Sequence, residues 1–402
     1  MNPVLFAIPF FLLSIGAEWL VDRRRGAEGY RLPDMICNIS LGMGQLLTAL
    51  LVKVPLLALY ALLSFKLSQA GLSFTFSSEA WSHWVGAFLL LDFAYYWFHR
   101  VSHERSFLWA AHAVHHQSED YNLSVALRQS WLQQCFSGIF YLPLACWIPP
   151  APFFLLNALN TLSQFWIHTE QIKRLPRPFE WILNTPAHHR VHHAVDQPYV
   201  DKNYAGALII WDRMFGTFAE EHARPRYGVL KPLRRWDPWA ANWDPWAQLL
   251  YRARAQRSWR RRLQIFWMGP AWLAPDEPPP SVLRRDAPSY VRYAEDSALP
   301  RSYLLCRFAV TLTLSTWLVG VAGDAERVTL AGGVFLCLFA LSASARLIEQ
   351  APGRWRWELL SGAGLILLAA YTPWWSLSVT AASALWLWSA HLARRTPTLA
   401  PI

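Results

Sequence analysis

The sequence predicts an all-α, multi-pass helical membrane protein with a histidine-rich cap on its cytoplasmic side. Apolar residues make up 54% of the 402 residues and charged residues only 16%, which lies outside the usual balance of soluble domains. The apolar residues form long runs, as helices that cross a bilayer require. Ten of the thirteen histidines lie between residues 99 and 193, at the ends of these runs and in the segments between them.

Seven apolar runs predict helices that cross or enter the bilayer, whose hydrocarbon core requires about 20 apolar residues per helix. Pro149 and Pro150 interrupt the fourth run, so we expect two short helices in a hairpin, because proline ends a helix and supplies no backbone donor. A break near Thr372 and Pro373 divides the last run in the same way. The third run is short, and we expect its helix to continue past the membrane surface into the histidine region. The runs are 3–20, 36–63, 84–98, 135–167, 303–321, 328–343 and 359–392.

The basic residues, which give a formal net charge of +10, lie between the apolar runs. They form no single patch interleaved with aromatic residues, so we expect no nucleic-acid partner. Arginine is frequent at 23–25 and across 173–301, whereas 64–82 carries one lysine. The positive-inside rule then places the histidine region in the cytoplasm. The expected location is the inner membrane of a bacterium or the endoplasmic reticulum of a eukaryote.

The chain divides into three predicted parts. Residues 1–225 form a membrane-embedded domain that includes the histidines, 226–302 form a cytoplasmic connector rich in proline, arginine and tryptophan, and 303–402 form a C-terminal transmembrane bundle. The first apolar run lacks a basic segment before it, so we interpret it as an anchor helix rather than a cleaved signal peptide. The five cysteines include no CxxC pair, which argues against disulfides and thiolate metal sites.

The histidines follow the series HxxxH, HxxHH and HxxHH. Residues three and four apart share one face of a helix, so three short helices could direct these imidazoles to a common centre. Eight ligands are too many for one ion and suit two metal ions with open positions. Imidazole binds Fe, Zn, Cu and Ni, but a cysteine-free cage differs from closed structural zinc sites and favours redox iron. The eight are His99, His103, His112, His115, His116, His189, His192 and His193.

Other functional classes fit the sequence less well. His103-Glu104 begins like the zinc-protease motif HExxH, but position 107 is Phe, and no GxSxG nucleophile elbow is present. A histidine-rich metal-binding membrane protein or transporter stays a remote alternative. Such a transporter would need ligands along its membrane crossings, whereas these histidines concentrate in one cap.

Several segments resemble the fatty acid hydroxylase and sterol desaturase superfamily, and within it the branch of alkylglycerol monooxygenases. The resemblance extends through residue 217, and the C-terminal bundle adds little motif content. The matching segments are 92–100 (DFAYYWFHR), 118–130 (SEDYNLSVALRQS), 164–170 (QFWIHTE), 184–193 (NTPAHHRVHH) and 201–217 (DKNYAGALIIWDRMFGT).

The resemblance implies that domain 1–225 is catalytic and that two iron ions activate O2 to hydroxylate a C–H bond of a lipid taken from the bilayer. In the alkylglycerol branch, the ether-linked carbon is attacked, and the products are a fatty aldehyde and a glycerol derivative. Tetrahydrobiopterin, or another electron-donor system, would supply the electrons. Hydroxylation or desaturation of a fatty acyl chain or a sterol stays open. The eight histidines carry over as ligands, and His168 matches a further ligand of related hydroxylases.

Two acids are predicted to assist the catalytic centre. Glu104 follows the second histidine and could accept a hydrogen bond from an imidazole N–H, although an exposed helix carboxylate is the alternative. Asp92 lies inside an apolar run on roughly the face of His99, and an acid in that setting is usually paired or functional. His188 stays undecided as a ligand, because Ala187 stands before it where the superfamily pattern has Ser.

Overall fold

The helices begin and end where proline, glycine and extended residues interrupt the apolar runs. The computed structural model describes residues 3–275, 277, 293 and 299–395. Within these residues, every regular element is helical, and the only β-type pairings are the isolated bridges Leu183–Leu208 and Ala194–Tyr227. The predicted all-α class is therefore confirmed. The α-helices are α1 Pro3–Arg24, α2 Leu32–Gln69, α3 Trp81–Glu104, α4 Ser106–His116, α5 Gln133–Tyr141, α6 Pro150–Ser163, α7 Arg177–Ile182, α8 Pro186–His192, α9 Ile210–Met214, α10 Pro238–Ala255, α11 Trp259–Trp267, α12 Arg301–Val321, α13 Arg327–Ile348, α14 Arg354–Ala369 and α15 Trp375–Arg395.

Three segments of the described helices are long and apolar enough to cross a membrane. They are Leu32–Val52 in α2, Arg301–Val321 and Arg327–Ile348. Among the helices of the remaining apolar runs, α1, α3 and α15 have 22, 24 and 21 residues, whereas α14 has only 16. The chain is an integral membrane protein with several membrane-spanning helices, as its apolar runs predict.

Both predicted proline breaks are present. After α5, the chain continues as a short 3-10 helix at Leu142–Cys146, and α6 begins at Pro150, where the missing N–H costs no helical hydrogen bond. The last apolar run is divided between α14 and α15. Helices α5 and α6 each pack against α3, so both lie beside the helix that enters the histidine region.

The largest apolar core joins the N-terminal and C-terminal parts of the chain. Buried residues of α2, including Leu41 and Leu47, share this core with α12, α13 and α14. Inside the bundle, Arg307 and Glu358 form a fully buried ion pair at 2.7 Å, and the guanidinium donates a further hydrogen bond to Ser361 Oγ. The three-part division at 225 and 302 stays a prediction. Residues 276, 278–292 and 294–298 of the predicted connector and 396–402 of the predicted C-terminal bundle lie outside the described residues.

Candidate metal centre

Nine buried histidines form two adjacent groups. In each group, one ring nitrogen of every member lies within 4.8 Å of those of the others. All eight histidines of the HxxxH and HxxHH series are present, together with His168. The first group contains His99, His103, His112, His116 and His192, and the second group contains His115, His168, His189 and His193.

The helices α4 and α8 each contribute to both groups. On α4, His112 and His116 are four residues apart and enter the first group, whereas His115 enters the second. On α8, His189 and its C-cap His193 enter the second group, and His192 enters the first. Helix α3 supplies the HxxxH pair to the first group. The HxxHH spacing thus divides its imidazoles between two centres instead of directing them to one.

Hydrogen bonds to main-chain carbonyls fix the tautomers of four histidines. A carbonyl oxygen only accepts, so an Nδ1 atom beside one must carry the proton, which leaves the lone pair on Nε2. His112 has a similar Nδ1 contact, at 2.9 Å from Gln133 Oε1. The carbonyl contacts are His99 to Tyr204 O at 2.8 Å, His115 to Arg128 O at 2.9 Å, His168 to Gln164 O at 2.9 Å and His192 to Lys202 O at 3.1 Å.

Inside each group, these Nε2 lone pairs face one another. His115 Nε2 lies 3.3 Å from His168 Nε2, and both rings have their proton on Nδ1, so neither atom can donate to the other. Two nitrogens bound at right angles to one ion at about 2.1 Å would lie roughly 3 Å apart. Within the described residues, the buried Nε2 atoms of His103 and His192 have no hydrogen-bond partner. The donor set therefore fits metal ions in both groups.

Burial keeps these imidazoles neutral and available as ligands. Desolvation lowers the pKa of His112 and of His168 to about 4, and that of His192 to about 3. The neighbouring imidazoles lower the pKa further at His103, because a second positive charge so close is unfavourable. At neutral pH each of these rings is uncharged, so one of its nitrogens keeps a proton and the other has a lone pair for a metal ion.

Comparisons with known proteins agree with the site. The model of the fatty acid hydroxylase family matches residues 84–217, which contain all nine histidines. Alkylglycerol monooxygenase of Homo sapiens is 36% identical over 356 residues, which cover 86% of this chain and 78% of the relative. The chain belongs to the fatty acid hydroxylase superfamily. The Danio rerio protein of the same name is 44% identical over 270 residues, 66% of this chain and 59% of the relative.

A third relative acts on a different lipid. An ornithine lipid hydroxylase of Rhizobium tropici is 30% identical over 161 residues, 38% of this chain and 47% of the relative. No solved structure matches the chain. Membership in the fatty acid hydroxylase superfamily, together with the long human match, makes this chain a membrane lipid monooxygenase, an oxidoreductase whose chemistry depends on bound metal.

In this member of the superfamily, Asp92 lies beneath the site and contacts none of its imidazoles. Its carboxylate is fully buried and accepts hydrogen bonds from Asn160 Nδ2 at 2.7 Å, Ala207 N at 2.8 Å, Leu208 N at 3.1 Å and Trp211 Nε1 at 2.9 Å. Three of these donors belong to the segment that follows Tyr204, whose carbonyl orients His99. Asp92 thus connects α3 to the segment after Tyr204, and its predicted role in assisting the catalytic centre stays a prediction.

Glu104 does not form the expected bond to an imidazole. Its carboxylate pairs with Arg100, one helical turn earlier, at 2.8 Å, and its side chain is 40% exposed. Arg100 offers this carboxylate a full positive charge at the spacing of one helical turn. Main-chain carbonyls contact four of the imidazoles, and Asp201 Oδ1 lies 3.9 Å from His103 Nδ1.

His188 lies outside both groups. Its Nε2 is 3.0 Å from Glu180 Oε2, and its Nδ1 faces the backbone N–H of Thr185, with which it forms a capping box at the start of α8. It therefore orders the helix that carries its neighbour His189.

Two supporting residues were missed by the sequence reasoning. Buried Asp212 accepts hydrogen bonds from Tyr204 N and Ala205 N, both at 2.8 Å, and so holds the peptide whose carbonyl contacts His99. Arg190, within the HHRVHH segment, donates to Thr169 O at 2.9 Å and pairs with Glu221 at 2.7 Å. The position of Arg190 within a histidine motif could have indicated its supporting role, since a buried charge requires partners.

Proposed function

We propose that this lipid monooxygenase holds one iron ion in each histidine group and oxidises the ether-linked carbon of alkylglycerols. One observation carries the proposal: in two buried groups without cysteine, Nε2 atoms that bear no proton, such as those of His115 and His168, face one another. Imidazole ligands with open positions suit redox iron. The choice of substrate is supported by relatives named alkylglycerol monooxygenase, one of which is matched over 78% of its length.

The proposed reaction balances as a monooxygenation. Iron supplies the activation of O2 when it is bound. One oxygen atom enters the C–H bond of the ether-linked carbon, and the other leaves as water with two electrons and two protons from the donor. The hemiacetal then breaks at its bond to the glycerol oxygen, which takes the hydroxyl proton, and releases a fatty aldehyde. We propose tetrahydrobiopterin as the donor.

The chain's own residues bind the lipid, position the metal ligands and exclude water. An apolar groove of about 400 Å³ lies between α4, α5 and α10, and Phe107, Phe136 and Trp246 line it. Leu132, also in its wall, immediately precedes Gln133, which contacts His112 Nδ1. An alkyl chain in this groove would lie beside the first group. Ligand pockets typically have this size and apolar character.

The proposed membrane topology of the chain follows from the distribution of its arginines. We propose that the histidine groups face the cytoplasm, with the arginine-rich connector on the same side, and that 1–225 form the catalytic domain. A lipid then enters from the bilayer while its headgroup stays near the cytoplasmic surface. The nine histidines gather in two adjacent groups, which supports an enzyme over a metal transporter.

The test measures metal and product together. Purified protein in detergent is analysed for metal content and for O2-dependent aldehyde release from a 1-O-alkylglycerol, with and without tetrahydrobiopterin. We expect two irons per chain and pterin-dependent aldehyde, with both reduced in His115→Ala. His222→Ala is the matched control, because His222 is exposed and outside both groups.

The other outcomes are equally informative. Two irons without aldehyde would move the substrate to fatty acyl or sterol lipids. Aldehyde release without the pterin would identify a different electron donor. Absence of iron, or unchanged iron and activity in His115→Ala, would overturn the metal assignment.

A further inference from the structure

Helix α11 packs one face on the histidine-bearing helix and leaves the other uncovered. Ile265 is buried in a small core with Ala110 of α4 and with Leu249 and Ala253 of α10. Ser106, the first residue of α4, donates from its backbone N–H to Met268 O at 2.9 Å, directly after α11. The position of α11 is therefore tied to the helix that supplies ligands to both metal groups.

The face opposite Ile265 is an exposed apolar stripe. Trp259, Leu263 and Trp267 are four residues apart, so they line one side of the helix. Their side chains are 65%, 58% and 68% exposed. A contiguous row of three large apolar residues marks an interaction surface, unlike single exposed apolar residues.

Arginines flank this stripe. Residues 245–275 contain six arginines and no acid. Arg257, Arg260 and Arg262 are exposed near the stripe, and the Arg260 guanidinium lies 5.7 Å from the Trp259 ring. An apolar stripe of Trp and Leu between basic residues is typical of helices that lie in the plane of a bilayer interface.

We propose that α11 is an interfacial helix that inserts its apolar stripe into the chain's own membrane, while its arginines bind the phosphates of anionic lipids. The chain is already held in a bilayer by α2, α12 and α13, so the membrane is within reach. Anionic headgroups complement the acid-free segment. The stripe would sit roughly 5–10 Å into the headgroup and acyl boundary. This inference does not depend on the substrate or on bound iron.

The interfacial position has a consequence for the groove. Trp246 and Leu250 of α10 form part of the groove wall, and α10 packs on α11. Insertion of α11 fixes this wall at the depth where lipid chains begin. The opening of the groove then meets the bilayer rather than water.

The first experiment uses the unmodified chain in lipid nanodiscs that contain phosphatidylcholine and phosphatidylglycerol. Hydroxyl-radical oxidation of Trp259 and Trp267 is compared with that of a free peptide of the same sequence. The exposures of 65% and 68% alone predict rates close to those of the peptide. Insertion predicts rates about tenfold lower, because side chains in the acyl region are shielded from water. Peptide-like rates would overturn the proposal.

The second experiment compares adjacent positions with a spin label in a Cys306→Ser background, since Cys306 is an exposed cysteine. A label at Leu263→Cys should collide more with O2 than with a water-soluble nickel chelate. The matched label at Gln264→Cys, exposed but off the stripe, should show the reverse. Equal water contact at both positions contradicts insertion.

The lipid requirement is tested with charge variants. Omission of phosphatidylglycerol should move the label at 263 toward water, and Arg257→Gln/Arg260→Gln should abolish this response to lipid composition. A stripe that becomes protected only when a soluble acidic protein is added would overturn the proposal in favour of a protein partner.

Discussion

Asp92→Asn should loosen the segment that orients His99, although the two side chains have nearly the same shape. Each carboxylate oxygen of Asp92 accepts from two N–H donors: Asn160 and Ala207 at Oδ1, Leu208 and Trp211 at Oδ2. An amide must direct its own NH2 toward one of these pairs in either orientation. Two donors therefore lose their acceptor and face another donor.

The magnitude follows from the two lost hydrogen bonds. A hydrogen bond to a charged group contributes about 1.5–3 kcal/mol, so Asp92→Asn should lower the free energy of unfolding by roughly 3–6 kcal/mol. Loosening of Tyr204, whose carbonyl accepts from His99 Nδ1, should also reduce metal in the first group. Thermal unfolding in detergent and metal analysis measure the two effects.

Glu104→Gln is the matched control on the same helix. Its partly exposed pair with Arg100 contributes at most about 1 kcal/mol, so stability and metal content should change little. An Asp92→Asn variant that unfolds like the unmodified protein and keeps its full metal content would refute the positioning role.

Three further predictions concern the second group, the groove and pH. Arg190→Lys should reduce the metal content of the second group, because one ammonium cannot replace a guanidinium that is bound to Glu221 and three carbonyls. The control Arg224→Lys, at an exposed ion pair, should keep its metal, and equal metal content in the two variants would contradict the prediction. Ala247→Trp should fill the groove of about 400 Å³ and lower aldehyde release from long-chain alkylglycerols by about tenfold or more, whereas Ala247→Ser should leave aldehyde release unchanged. Unchanged aldehyde release in the Trp variant would exclude the groove as the binding site of the alkyl chain. In chelator-treated protein, the pKa of His112 and of His168 is about 4 in the folded state, against an ordinary histidine pKa of about 6.5. Between these two pH values the unfolded state binds more protons than the folded state, so the free energy of unfolding should fall as the pH drops. A melting temperature that is equal near pH 7 and pH 5 would contradict this prediction.

The sequence predicts the members of the site but not their division into two groups. The spacing HxxHH shows that His112, His115 and His116 share a helix face, and it cannot show that the middle one faces a different centre. That depends on how α4 and α8 pack against each other, which is a tertiary property. His168, 21 residues before His189, likewise joins the second group because α6, which precedes it, packs against α3.

Glu104 pairs with Arg100 and not with an imidazole, for a reason that the sequence contains. Arg100 stands four residues earlier, at the spacing that favours an ion pair on a helix. Asp92 illustrates the opposite case. Its burial could be predicted from the apolar run around it, but three of its donors lie more than a hundred residues later in the chain, and no local pattern identifies them.

Buried charged side chains, rather than acids on the imidazoles, hold the two groups in place. Asp92 fixes the segment that carries Tyr204 O, the acceptor for His99. Arg128 presents its own carbonyl to His115 while its guanidinium donates to Val114 O at 2.8 Å. Arg190 joins α8 to Thr169, the residue after His168. Because each charge supports a different imidazole, loss of one should empty one group before the other, which a mononuclear site could not do.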